Sequence, residues 1–80
     1  KAGPLLALGK ILSRTGKTEE AAEAFREAAV LSPRDPLPLR LLSRLYAASG
    51  VREFAEQYAR AADELEAKAG GVRRKNPKGA

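Results

Sequence analysis

The chain has no cysteine and no histidine. Without cysteine there is no disulfide framework and no thiolate metal site. Without histidine it lacks the commonest general base and the commonest transition-metal ligand near neutral pH. Zinc enzymes, Ser-His-Asp triads and Cys-His dyads are excluded on that basis. No apolar run approaches the ~18–20 residues that a membrane-spanning helix requires. Leu5–Leu8 is too short an apolar block for a secretory leader. The chain begins at Lys1 rather than Met, so the expectation is a processed or truncated start.

What is present fits one small domain: 80 residues with a net charge of +5. A fold of this size buries a modest core and is marginal unless something helps it. The charge is uneven. Residues 1–69 carry 11 Lys/Arg against 10 Asp/Glu, a net of +1, and residues 70–80 carry Arg73, Arg74, Lys75 and Lys78 with no acid, a net of +4. A basic tail of this kind attracts polyanions: nucleic acid, anionic lipid or an acidic protein surface.

Punctuation divides the rest into four helical segments. The first runs from about Pro4 to Arg14, with Pro4 in the first turn and Gly16 as the stop. The second runs from about Glu19 to Leu31, with Thr18 as N-cap, two acids in its first turn, and Ser32-Pro33 after it. Asp35 is the expected N-cap of the third, with Pro36 at its first position; it reaches Ser49 before Gly50. The fourth runs from about Arg52 to Ala69 and ends at Gly70-Gly71. Ala and Leu fill these segments, which favours helix, and none shows the alternation of a strand. Short connections make neighbouring helices antiparallel, so the unit is a helical hairpin, made twice.

The two hairpins are copies at an offset of 34 residues. Pro4 aligns with Pro38, Leu5 with Leu39, Leu8 with Leu42, Ile11 with Leu45, Leu12 with Tyr46 and Gly16 with Gly50. Ala21 aligns with Ala55, Arg26 with Arg60, Ala28 with Ala62 and Leu31 with Leu65. Phe25 aligns with Ala59 and Ala24 with Tyr58, so large and small have changed places and one ring stays near the same point. Helical hairpins repeated at this period are the signature of a solenoid.

The pattern resembles the tetratricopeptide repeat family. The positions that carry its alternation of large and small residues are filled first by Leu5, Leu8, Gly9, Leu12, Ala21, Phe25, Ala28 and Pro33. In the second copy Leu39, Leu42, Ser43, Tyr46, Ala55, Ala59, Ala62 and Ala67 stand there. Ala59 replaces the family's aromatic residue and Ala67 its closing proline, which implies that the fourth helix runs on. The resemblance implies an all-α fold of antiparallel hairpins stacked as a short right-handed α-solenoid. Hairpins 2–35 and 36–69 form the domain of residues 1–69, and residues 70–80 form a basic tail with the composition of a disordered segment.

Two units are few for a solenoid, which usually needs about three. The first helix is apolar on several sides, with Leu5, Leu6, Leu8, Ile11 and Leu12. That face, with Leu5, Leu8 and Ile11, is expected to be covered by further repeats, a partner or another copy.

In the resembled family the first helix of each hairpin lines a concave groove. The lining residues implied here are Gly3, Leu6, Ala7, Lys10, Ser13 and Arg14, then Leu37, Arg40, Leu41, Arg44, Ala47 and Ala48. A spacing of four places Lys10 with Arg14, and Arg40 with Arg44, on single helix faces. Four cations and no acid favour an acidic, carboxylate-bearing segment, for which Arg offers forked donors. The candidate binding residues are therefore Lys10, Arg14, Arg40 and Arg44 with Leu6, Leu37 and Leu41. The carboxylate clamp of chaperone-binding members also uses asparagine; the chain's one asparagine, Asn76, is outside the groove, so that mode is not expected.

The acids read as outer faces of amphipathic helices, not as a catalytic pair, and Gly70-Gly71 is not a phosphate loop because no strand precedes it. The expectation is a protein that is not an enzyme and takes no cofactor, metal or small-molecule substrate. Its partner is another protein, bound in the groove as an adaptor. The alternative is a small structural subunit docked by Leu5, Leu8 and Ile11 and by Arg73, Arg74, Lys75 and Lys78. A third reading is nucleic-acid or anionic-surface binding through that tail, which would weaken steeply with salt. Composition suggests a GC-rich bacterial source, and a cytoplasmic location is favoured over a periplasmic or membrane-associated one.

Overall fold

The computed structural model describes residues 2–70, with side chains as far as Lys68. Four helices make up this part: α1 (Ala2–Arg14), α2 (Thr18–Leu31), α3 (Leu37–Ala48) and α4 (Arg52–Gly70). No strand occurs among the described residues. Neighbours in sequence are neighbours in space: α1 packs on α2, α2 on α3, and α3 on α4. The result is an all-α stack of two antiparallel hairpins.

The connections repeat as the sequence does. Gly16 and Gly50 have φ of +84° and +85°, the left-handed region that glycine enters without steric cost. Around them the same hydrogen bonds recur 34 residues apart. The Lys17 N–H donates to the Leu12 carbonyl at 2.8 Å and the Val51 N–H to the Tyr46 carbonyl at 2.8 Å. Likewise the Gly16 N–H donates to Ser13 and the Gly50 N–H to Ala47, at 3.2 and 3.1 Å. This pair of bonds satisfies the last carbonyls of α1 and of α3 and reverses the chain.

Helix starts differ in detail from the sequence reading. Thr18 is the first residue of α2 and its side chain makes no cap bond; Lys17 holds the boundary position. The tight turn at Gly16 leaves no residue for a separate cap, and the Lys17 carbonyl already accepts the Ala21 N–H at 2.9 Å. Asp35 does cap α3, its Oδ1 accepting the Leu37 N–H at 3.0 Å, while Pro36 holds the boundary. α1 begins at Ala2, which leaves Pro4 in the first turn, where its missing N–H costs nothing. α4 has 19 residues against 14 in α2. Ala67 stands where the first hairpin has Pro33, so nothing stops the helix there.

The core lies between the hairpins, at the α2–α3 seam. Ala21, Ala22, Phe25, Leu42 and Leu45 are buried as one cluster, with Leu6, Leu12, Leu39, Leu41, Tyr46 and Tyr58 packed around it. Small residues let the helices close up. A Cβ at Gly9 would lie 2.4 Å from Phe25 Cε1, so α1 reaches α2 only because residue 9 has no side chain. In the second hairpin the equivalent pair is Ser43 and Ala59. There the space left by the smaller partner admits a side chain, and Ser43 Oγ donates to the Ala55 carbonyl at 2.8 Å. The displaced aromatic is Tyr58, which stacks on Tyr46 with ring centroids 5.8 Å apart.

Candidate basic groove

α1 and α3 are the first helices of the two hairpins, and their exposed faces border one open groove of about 370 Å³. Lys10, Ser13 and Arg14 come from α1, and Leu41, Arg44, Leu45 and Ala48 from α3; Phe25 of α2 also contributes to the lining. The turn-and-a-bit spacing of each helix explains the grouping. Lys10 and Arg14 lie one turn apart on one face, as do Leu41, Arg44, Leu45 and Ala48. No acidic residue lines this groove. Lys10, Arg14 and Arg44 are exposed and form no ion pair among the described residues. The three cations stand around Leu41 and Ala48, with Leu45 and Phe25 almost wholly buried beneath.

Arg40, the fourth cation named from the sequence, has a different setting. Its guanidinium is gripped by α4: Nη2 donates to Asp63 Oδ1 and to Glu66 Oε1, each at 2.7 Å, and Nε donates to Glu66 Oε2 at 3.2 Å. The pairing with Glu66 is forked. Hydrogen bonds to Glu66 first and Asp63 second push the Arg40 pKa further above the ordinary guanidinium value, so its charge is permanent. Arg40 is thus spent on tying α3 to α4. Leu37 is exposed at the start of α3 and Leu6 packs against the core; neither lines the basic groove, whereas Leu41 does.

A second groove, about 690 Å³ and also open, is lined by residues of α1 and α2. Leu5, Leu8, Leu12, Ala24 and Val30 supply its apolar surface, and Glu20, Glu23 and Glu27 are among its polar residues. Leu8 is 47% exposed, Val30 76% and, beside them on α1, Ile11 56%. The structure therefore brings Leu5 and Leu8 into one apolar groove. Arg73, Arg74, Lys75 and Lys78 lie outside the described residues.

Sequence reasoning missed two features. One is the Arg40 clasp, whose partners lie 23 and 26 residues away, with no local spacing to reveal them. The other is an aromatic cluster where α3 meets α4. Tyr46 stacks on Tyr58 and meets Phe54 edge-on at 5.2 Å, and its hydroxyl accepts a hydrogen bond from Arg26 Nη1 at 3.2 Å. That bond, with Tyr58 as the next contributor, raises the Arg26 pKa. The 34-residue alignment of Tyr58 with Ala24 was the available signal. No group of metal-ligating side chains occurs among the described residues, and no described helix is long and apolar enough to cross a membrane.

A family model described as tetratricopeptide repeat matches residues 2–45. This segment holds α1, α2 and most of α3, including both sides of the basic groove. No curated protein and no solved structure matches the chain.

Proposed function

The chain belongs to the tetratricopeptide repeat family, and from that premise we propose that it is a non-enzymatic adaptor that receives an acidic segment of a protein partner along the α1–α3 face. The observation that carries this reading is the basic groove itself. Lys10 and Arg14 on one wall and Arg44 on the other line the groove with Leu41, Leu45 and Ala48 and form no ion pair among the described residues. A carboxylate there gains three nearby cations, and an apolar side chain beside it gains a surface to cover. No catalytic residue, cofactor or small-molecule substrate enters the reading.

The test is fluorescence anisotropy with a labelled acidic peptide and its glutamine counterpart. The expected result is saturable binding of the acidic peptide alone, weakened by salt and abolished by the combined change Lys10→Gln, Arg14→Gln and Arg44→Gln. Equal binding by that variant and the unaltered chain would overturn it.

A second reading is favoured by the apolar groove of Leu5, Leu8, Leu12 and Val30. An apolar groove on a small protein marks an association surface, so the chain would be a structural subunit docked through α1. Association that persists at high salt and is lost in Leu8→Ser, Ile11→Ser supports this second use. A monomer with both residues in place contradicts docking between copies.

A further inference from the structure

Resting on the second reading, that the chain docks through α1, we infer that the docking partner is a basic helix of another protein whose face repeats that of α2: two adjacent small residues, then an aromatic residue and an arginine one turn on. The 34-residue repeat carries this. Leu8 and Ile11 align with Leu42 and Leu45. Leu42 and Leu45 are 0% and 6% exposed, buried in one cluster with Ala21, Ala22 and Phe25 of α2. Leu8 and Ile11 are 47% and 56% exposed. The rest of the apolar groove follows the same rule. Its Leu5, Leu12 and Ala24 align with Leu39, Tyr46 and Tyr58, all of which pack against that cluster. The first hairpin thus presents the surface with which the second receives α2, and no described helix lies over it.

A second copy does not supply that helix. The residues of α4 that align with Ala22 and Phe25 are Glu56 and Ala59. Seated as α2 is, α4 would bring a carboxylate to the position where Ala22 is buried, and a buried unpaired carboxylate is costly. It would also put a methyl group where Phe25 brings a ring onto Leu42 and Leu45. Glu20, Glu23 and Glu27 border the groove, are exposed and form no ion pair among the described residues. They repel a further acid and favour a basic helix. The place of the arginine is specific. Arg26 shares a groove with Tyr46 and Phe54 and donates to the Tyr46 hydroxyl. In the first hairpin Leu12 and Glu20 stand where the second has Tyr46 and Phe54. An arginine at the Arg26 position of the docked helix therefore loses a hydroxyl acceptor and gains the Glu20 carboxylate.

The probe is a labelled, blocked peptide of residues 18–31 with lysine in place of Glu19 and Glu20 and a staple joining positions 23 and 27 to hold it helical. It is titrated by fluorescence anisotropy with the full 80-residue chain. Saturable binding is expected, lost in Leu8→Ser with Ile11→Ser. Three unlabelled competitors decide the chemistry. The same peptide with serine for its phenylalanine is expected to compete about tenfold more weakly, at the low end of what burying an aromatic ring gives because the groove is open. A peptide with the α4 face, glutamate for its second alanine and alanine for its phenylalanine, is expected not to compete. Neither is the chain's own basic end, residues 71–80. Glu20→Gln should weaken the probe about threefold and leave a probe with glutamine for its arginine unchanged. Equal competition by the serine peptide overturns the inference and leaves docking through α1 standing. So does competition by the α4-face peptide or by residues 71–80 that matches the probe. No binding by the probe, or binding unchanged by Leu8→Ser with Ile11→Ser, overturns it too; the second reading falls with it only when the chain's own association is also unmoved by that pair. The competitors are compared on the unaltered chain, so they decide the matter even if a variant fails to fold.

Discussion

The ring of Phe25 fills the space that a side chain at Gly9 would need: a Cβ there would lie 2.4, 2.7 and 2.9 Å from three of its carbons. Phe25 is only 2% exposed and sits in the central cluster with Leu42 and Leu45. The ring cannot step aside without disturbing that cluster. Gly9→Ala should therefore destabilise the chain by about 1–3 kcal/mol, the usual range for overpacking. Thermal unfolding by circular dichroism measures it. Combining Gly9→Ala with Phe25→Leu should cost less than the sum of the two single changes, because the smaller side chain leaves room. Additive losses would show that the two residues do not compete for one space.

The turn glycines act through the backbone. Gly16 and Gly50 have nothing within 4 Å of a built Cβ, yet both hold φ near +85°. Ala at either position should cost about 1–2 kcal/mol, the penalty of the left-handed conformation for an L-residue. Gly3 is also open but lies in the helix α1 with no positive φ. Gly3→Ala should be neutral or stabilising by up to about 1 kcal/mol. The opposite signs, read from denaturant midpoints of the three variants, separate a conformational cause from a packing one.

The Arg40 clasp should add little to stability despite its short distances. Its side chain is 38% exposed and Asp63's is 65% exposed, so solvent screens the pair. Asp63→Asn and Glu66→Gln should each cost no more than about 1 kcal/mol. The loss should shrink further in 1 M salt. A loss several times larger, insensitive to salt, would mean that the clasp supports packing between α3 and α4 rather than a surface charge pair.

The fold was legible because its signals are local and repeated. Gly16 and Gly50, the prolines at the start of α1 and before α3, and the 34-residue match of Leu5, Leu8 and Leu12 with Leu39, Leu42 and Tyr46 all report on structure within a few residues of themselves. Helix ends were less legible. Thr18 is a good capping residue by type, but the Gly16 turn feeds straight into α2 and leaves the boundary to Lys17. The lining of the candidate groove was legible in part. Lys10, Arg14, Arg44 and Leu41 meet because helical spacing and hairpin stacking bring them together. Arg40 shares a helix face with Arg44 by spacing, yet α4 reaches across and takes it. Asp63 aligns with Ala29, inside the stretch that α2 and α4 share, whereas Glu66 lies one residue past the equivalent of the end of α2 and is helical because α4 runs on. Spacing on one helix says nothing of what the next one presents.

The exposed stripe of Leu8 and Ile11 makes a separate prediction about solution behaviour. Both side chains are about half exposed, so Leu8→Ser with Ile11→Ser should leave helicity close to that of the unaltered chain. Light scattering at increasing protein concentration should show less self-association in the variant. A variant that loses its helical signal instead would place these side chains in the core rather than on a docking face.

The most direct test of the central claim is a nuclear magnetic resonance titration of the labelled chain with an acidic peptide. The account predicts that amide shifts concentrate at residues 10–14 of α1 and 41–48 of α3, with Glu20, Glu23 and Glu27 of α2 unmoved. Shifts confined to α2 and the outer side of α1, or no shifts at all with the helices intact, would contradict it.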